Sequence, residues 1–175
     1  PLVPDGPVSP YHWAVLCTFH VLRGGEAASA LASSLVLDHE HRRETFSLPA
    51  SKTDTTAIGC KRSWGCTCAL DGSATRPCPF HSAVAIKLEL ARRFGSSSGV
   101  LPPGLPLFPN AQGEWCGRQG FVGTITALAT LLQVDPIDDM GRDTVGEHVW
   151  RISGARHLAG IGIPQTMIML LARWG

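Results

Sequence analysis

HVWRISGARHLAGIGIPQTMIMLLARW, residues 148–174, reads as two helices in succession. Apolar residues recur at helical spacing on both sides of a break made by Gly160, Gly162 and Pro164. A proline in the first turn of a helix is harmless, because the N–H it lacks has no intrahelical acceptor there. The spacing predicts helices over roughly 148–160 and 164–173. Working back from this stretch, Asp135 to Glu147 is an acidic loop with five carboxylates against one Arg, and about Phe121 to Gln133 is a further helix. Ser96 to Gly113 is dominated by Ser, Gly and Pro and reads as irregular, anchored by Leu105, Leu107 and Phe108. Pro79 opens a helix through Ile86, Leu88 and Leu90 to about Phe94, with Gly95 as its stop.

Upstream of Pro79 the period changes. Thr45, Phe46, Ser47 and Leu48 alternate in polarity, so residues 35–38 and 44–50 read as short strands joined by the polar turn His39 to Arg43. The turn Pro49 to Asp54 leads to a third strand near 57–68, which makes a small antiparallel sheet. From Tyr11 to about Leu35 the residues Trp13, Leu16, Val21, Leu22, Ala27, Ala30 and Leu31 suggest helical segments, broken at Gly24 and Gly25. Pro1, Pro4, Pro7 and Pro10 recur every third residue and suit an extended linker over 1–10. The expected fold is α+β and mostly helical: one domain over 11–175 with helices around a small antiparallel sheet and a Cys-rich insertion at 60–81.

Composition agrees with one folded domain. Of 175 residues, 44% are hydrophobic and 17% charged, enough to bury a core and to exclude full-length disorder. Fifteen Lys and Arg face 14 Asp and Glu, so the net charge of +1 excludes a strong general field for polyanions. Nineteen Gly and 13 Pro argue against a long bundle or coiled coil. No apolar run reaches the ~18 residues of a membrane span, and no basic segment followed by an apolar stretch marks a secretory signal. The chain begins at Pro1 and breaks off just after a helical pattern, so it reads as a piece of something longer.

Cysteine usage points to a reducing, intracellular compartment. Cys60, Cys66, Cys68 and Cys78 are crowded together beside His81, whereas Cys17 and Cys116 read as core residues. Four soft or borderline ligands would suit a closed tetrahedral zinc site. The single residue between Cys66 and Cys68 departs from the commoner spacing, but on a strand it puts both on one face. Reduced thiols packing as small apolar residues are the competing reading.

The remaining chemistry lies in four separated places. Arg23 and Glu26 lie three apart, a spacing at which a carboxylate holds a guanidinium in a fixed pose on one helical face. Lys52 stands in a turn between strands, where a long side chain reaches over a neighbouring cleft. His148 and Arg151 are three apart near a helix start, and Trp174 closes the last helix. Singly, each has an ordinary explanation: a surface ion pair, a solvated turn lysine, a capping histidine, an arginine paired with Glu147 or Asp143, a core tryptophan.

Taken in order, these residues resemble the tyrosine recombinase (phage integrase) family. His148-Val149-Trp150-Arg151, then Gly160-Ile161-Gly162-Ile163-Pro164, then Arg173-Trp174 carry the likeness, after Arg23 with Glu26 and Lys52 in Ser51 to Asp54. It spans residues 11–175 and is closest to eukaryotic mobile-element relatives with a Cys-rich insertion after the hairpin. The resemblance implies site-specific DNA recombination or integration through a phosphotyrosyl intermediate, on double-stranded DNA, with no cofactor for catalysis, in the nucleus and as a homo-oligomer on DNA. It assigns Arg23 and Arg151 to clamping the nonbridging phosphate oxygens, where negative charge concentrates as phosphorus is attacked. Lys52 would protonate the leaving 5′ oxygen, His148 would assist proton transfer or contact the phosphate, and Trp174 would donate its indole N–H. Glu26 supports Arg23. The family's nucleophilic Tyr follows the His or Trp position, whereas the single Tyr11 precedes Arg23, so the nucleophile is expected beyond Gly175 and the piece itself is expected to be inactive. Basic pairs at Arg42 with Arg43, Lys61 with Arg62 and Arg92 with Arg93 would add DNA contacts. A topoisomerase shares this chemistry. A noncatalytic DNA-binding relic of a mobile element and a zinc-stabilised interaction module are the alternatives from other classes.

Overall fold

The first helix, α1 (Pro10–Phe19), has Trp13, Val15, Leu16, Cys17 and Phe19 buried, facing more than one direction. A helix apolar nearly all round belongs in the middle of a fold. In the computed structural model, which describes residues 1–48, 59–68, 77–135, 137–141, 145–146 and 148–174, α1 is the central element. It is followed by α2 (Gly24–Ala28), a 3-10 turn (Ala32–Ser34), β1 (Leu35–Asp38), β2 (Arg43–Leu48), β3 (Cys60–Gly65), α3 (Pro79–Phe94), α4 (Arg118–Leu131), α5 (Val149–Gly160) and α6 (Gln165–Ala172). The fold is α+β, with six α-helices and a three-stranded antiparallel sheet among the described residues. No described helix is long and apolar enough to cross a membrane.

The sheet has the order β1-β2-β3, with Leu35 opposite Phe46 and Phe46 opposite Arg62. The period of two sends Glu44, Phe46 and Leu48 of β2 inward, and the register puts Arg62 of β3 on the same face. Lys61 points the other way and is exposed, so the basic pair read from the sequence is split between core and surface. The expected strand residues 49–50 and the turn carrying Lys52 lie outside the described residues.

The helices fall close to their expected spans, with two informative differences. The break after α1 is at His20 to Leu22, and Gly24 and Gly25 open α2 instead of interrupting it. Their helical start follows from Glu26, whose carboxylate accepts the Arg23 backbone N–H at 2.9 Å and caps the turn. Helix α4 begins three residues early, at Arg118. There the Asp5 carboxylate accepts the Gly117 N–H at 3.1 Å and the Asn110 side-chain amide at 3.1 Å, placing negative charge at the helix N-terminus. The segment read as a linker thus packs on the body of the fold: Val8 is buried and its N–H donates to the Pro109 carbonyl at 3.0 Å.

Two cores result. The larger gathers Trp13, Leu16, Leu22, Leu35, Phe46, Ile86, Leu107 and Phe121 between α1, the sheet, α3 and α4. The smaller joins Val15, Phe19 and Val21 to Leu158 of α5 and to Ile168 and Ala172 of α6. Helix α5 crosses α1 at Gly154, where a Cβ would stand 2.2 Å from the Thr18 carbonyl oxygen, so only glycine permits this approach. The crossing sets α5, and with it Arg151, against the end of α1.

Candidate functional site

Arg23 follows the C-terminal turn of α1. That turn is closed by Val21 in the left-handed region (φ 51), an uncommon conformation for a β-branched residue, and by the Leu22 N–H donating to the Cys17 carbonyl at 3.0 Å. Arg23 is therefore an N-cap residue of α2 in extended conformation, and the helical-face relation expected for Arg23 and Glu26 is replaced by a capping one. Its Nη1 lies 3.6 Å from Glu26 Oε1, and Glu26 is itself buried.

Arg151 lies in the first turn of α5 and is buried. Its Nη2 donates to the carbonyl of Ala172, the last residue of α6, and its guanidinium carbon is 5.4 Å from the centroid of the Trp174 ring. A second left-handed residue, Arg173 (φ 50), ends α6 and folds Trp174 back, with the Trp174 N–H donating to the Met169 carbonyl at 3.0 Å. Burial first, and then the nearby charge of Arg23, push the Arg151 guanidinium below its ordinary value. Of the residues expected at the site, Arg151 and Trp174 are in contact, and Arg23 with Glu26 lies near enough to act on Arg151 electrostatically.

Lys52 lies outside the described residues. His148 immediately precedes α5 and is exposed; its carbonyl accepts the Ile152 N–H at 3.0 Å, and its imidazole caps nothing. Tyr11 is exposed on α1 beside His12 and lines an apolar cleft with Val15, Leu131 and Trp150, the wrong setting for a nucleophile at the arginines.

Two arginines that the sequence reading did not single out for the site stand in the same place. Both Arg62 and Arg173 act electrostatically on Arg151. Arg62 is buried and its Nη1 donates to the His20 carbonyl, while Arg173 Nη2 donates to Cys60 Sγ. Alternation along β3 carried the signal for Arg62, because Cys60, Arg62 and Trp64 share one face of that strand. For Arg173 the sequence carries none, since its direction depends on the left-handed turn. Nearby, His20 and Glu44 form a fully buried pair, Nε2 to Oε1 at 2.7 Å, that ties the end of α1 to β2.

The cysteine-rich segment makes a second site. Donor atoms of Cys66, Cys68, Cys78 and His81 all lie within 4.8 Å of one another, and this group could bind a metal. Cys60, counted with them from the sequence, is not a member; it faces Arg173 from the start of β3. The spacings suit a tetrahedron. With metal–sulfur bonds of about 2.3 Å its edges are about 3.8 Å, and Cys66 Sγ is 3.7 Å from Cys78 Sγ and 3.8 Å from His81 Nδ1, with Cys68 Sγ 3.1 Å from that nitrogen. Cys66 and Cys68 follow β3, whereas Cys78 caps α3 and His81 stands in its first turn. Burial pushes the Cys78 thiol up, but hydrogen bonds from the backbone of His81 and Thr67 outweigh it and bring the thiol down to about 6. Burial and the neighbouring thiols push Cys68 up to about 11. None of the six cysteines is in a disulfide. Cys17 and Cys116 are buried in the core, as expected.

No protein-family profile matches the chain, and no curated protein matches it in sequence.

Proposed function

We propose that this domain carries the phosphate-activating part of a DNA strand-exchange site of the tyrosine recombinase type. The observation that carries the reading is that Arg23 and Arg151, from distant parts of the chain, lie near enough to act on one another electrostatically, with Trp174 against the Arg151 guanidinium and a buried Nη1 of Arg151 that no described group accepts a hydrogen bond from. A phosphodiester under attack supplies the missing acceptors. Two guanidinium groups bind its nonbridging oxygens and stabilise the charge that builds on them, and the low-dielectric surroundings strengthen that effect. In the reaction proposed, a tyrosine hydroxyl gives up its proton with the help of His148 as its oxygen attacks phosphorus, a 3′-phosphotyrosyl bond forms, the bond from phosphorus to the 5′ oxygen breaks, and that oxygen leaves as a hydroxyl with a proton from Lys52. Tyr11 is not that tyrosine, so the residues of this chain bind and polarise the phosphate. Double-stranded DNA is the proposed partner, with assembly of copies on the DNA and work on nuclear DNA following from the same reading.

The Cys66, Cys68, Cys78 and His81 group is proposed to hold a structural zinc that fastens the end of β3 to the start of α3. Its three thiolates and one imidazole are the donor set of closed structural zinc sites. Metal analysis of purified protein is expected to find about one zinc per chain, lost together with thermal stability in Cys78→Ser and His81→Ala. Protein that is fully folded with no metal overturns this assignment.

Binding to a fluorescent mixed-sequence duplex, followed by anisotropy across a salt series, tests the function. The wild-type chain is expected to bind at low salt and to release as salt rises, because phosphate contacts displace condensed counterions. Arg151→Ala and Arg23→Ala are expected to weaken binding about tenfold or more. Absence of binding at low salt, or equal binding by the two variants, overturns the proposal.

A further inference from the structure

We infer that Arg62 and Arg173 are phosphate-contacting residues of the same site, which thereby grips one oxyanion with four guanidinium groups instead of two. The inference rests on the reading of Arg23 and Arg151 given above and extends it to residues outside the ordered motif.

The argument starts from how each group is held. One nitrogen of each of three arginines is anchored within the fold: Arg62 on the His20 carbonyl, Arg151 on the Ala172 carbonyl, Arg173 on Cys60 Sγ. Arg23 is instead held by its ion pair with Glu26. The other terminal nitrogen of Arg62, Nη2, is buried without a hydrogen-bond partner among the described residues, and so are Nη1 of Arg23, Arg151 and Arg173. A guanidinium whose role is only to brace the fold spends its donors on carbonyls and carboxylates. Arg62, Arg151 and Arg173 each leave a terminal nitrogen without a hydrogen bond among the described residues, whereas Nη1 of Arg23 faces Glu26 Oε1 at 3.6 Å, longer than a hydrogen bond; Arg62 and Arg151 are more than nine-tenths buried.

The anchors themselves relate these donors: the Ala172 carbonyl that holds Arg151 adjoins Arg173, the Cys60 that holds Arg173 is two residues from Arg62 on β3, and the His20 carbonyl that holds Arg62 is three residues before Arg23. In keeping with this, Arg151 feels the charges of Arg23, Arg62 and Arg173, and Arg62 that of Arg173. Among the described residues Glu26 is the carboxylate that acts on Arg62 and Arg151, which leaves positive charge in excess in a buried place, an arrangement that an entering anion relieves. The unspent N–H groups come from α2, β3, α5 and the turn after α6, so they approach from different elements, as the several oxygens of a phosphate require. Two of the four follow from turns in unusual backbone: Arg23 comes two residues after Val21, and Arg173 is itself left-handed. Strain of this kind is retained where the direction of a side chain matters.

Inorganic phosphate is the direct probe, read as the rise in melting temperature on adding it at constant ionic strength with chloride as the balance. The wild-type chain is expected to be stabilised by phosphate. In Arg173→Gln and Arg62→Met the apparent phosphate affinity is expected to fall about tenfold, with Arg62→Lys recovering part of it. Duplex DNA affinity should fall in parallel. Should Arg62→Met fail to fold, Arg173→Gln decides, because Arg173 is only partly buried at the end of a helix. Phosphate affinity within twofold of wild type in Arg173→Gln and in any folded Arg62 variant overturns the inference. If Arg151→Ala alone abolishes phosphate and DNA binding in that case, the underlying reading stands without it. If Arg23→Ala and Arg151→Ala also bind as wild type does, the underlying reading falls as well.

Discussion

The guanidinium carbon of Arg151 lies 5.4 Å from the centre of the Trp174 ring, while one of its nitrogens holds the last carbonyl of α6. Helix α6 thus ends by gripping α5 through a single arginine, and the indole lies against the cation it helps to position. A cation over an aromatic face is worth about 0.5–1 kcal/mol where the ring is exposed, and Trp174 is 43% exposed. Trp174→Ala is therefore expected to lower duplex affinity about two- to fivefold in the anisotropy assay, with Trp174→Phe losing less. Binding by Trp174→Ala equal to that of the wild type would show that the indole does not position Arg151.

The crossing of α1 and α5 gives a sharper handle on the same arginine. A methyl group at Gly154 would meet the Thr18 carbonyl oxygen at 2.2 Å, whereas one at Gly160 would meet nothing within 4 Å. Alanine in place of a helical glycine gains up to about 1 kcal/mol from backbone entropy alone. At Gly160 that gain should appear as a modest rise in urea midpoint. At Gly154 overpacking, typically about 1–3 kcal/mol, outweighs it. Gly154→Ala is expected to be destabilised and, because α5 is pushed from α1 one turn away from Arg151, to bind DNA more weakly. A stabilised Gly154→Ala with normal binding would contradict the close approach.

How much of this is legible in the sequence depends on the range of the interaction that decides it. Helix α3 was readable because Pro79 and Gly95 punctuate an apolar period, which is local information. The sheet was readable from the alternation at Thr45 to Leu48. The start of α4 was not, since it is set by Asp5, far away in the chain. Within the site, Arg23, Arg151 and Trp174 were nameable because they stand in a recognisable order, and in the structure Arg151 contacts Trp174 and lies near enough to Arg23 to feel its charge. The direction of Arg173 was not legible because a left-handed turn decides it, and Cys60 was misgrouped because it starts β3 while Cys66 follows the strand's other end.

The buried pair of His20 and Glu44 is the most exposed point of the fold's stability. Both side chains are fully shielded from solvent and share one hydrogen bond of 2.7 Å, and His20 Nδ1 and Glu44 Oε2 lack partners among the described residues. Removing one member of such a pair strands the other, at a cost of about 3–5 kcal/mol. Glu44→Ala should show that loss in urea denaturation, and Glu44→Gln, which keeps a hydrogen-bonding oxygen, should lose less. Replacing both residues by apolar ones, His20→Leu with Glu44→Met, is expected to recover most of the stability. A double variant as unstable as Glu44→Ala would mean that the pair orders its surroundings beyond its own desolvation.

The end of α3 is expected to contribute separately to the acid limb of the stability curve. Arg92 reaches Glu89 through two hydrogen bonds of 2.9 Å each, and Arg93 adds a third contact to the same carboxylate. Hydrogen bonds from Arg92, and then from Arg93, hold the Glu89 carboxyl down to about 2, below its ordinary 4.5. The depressed group contributes stability that is fully present above its ordinary value and is lost as pH falls through the lower one. The window is therefore pH 4.5 to 2, and for partly exposed partners the contribution is at most about 1 kcal/mol. Glu89→Gln is expected to flatten the acid limb across that window in urea titrations at successive pH values. The same geometry removes Arg92 and Arg93 from the free basic surface that the sequence suggested, so Arg92→Ala should leave duplex affinity within about twofold of wild type. A tenfold loss in Arg92→Ala would show that DNA draws this arginine away from Glu89.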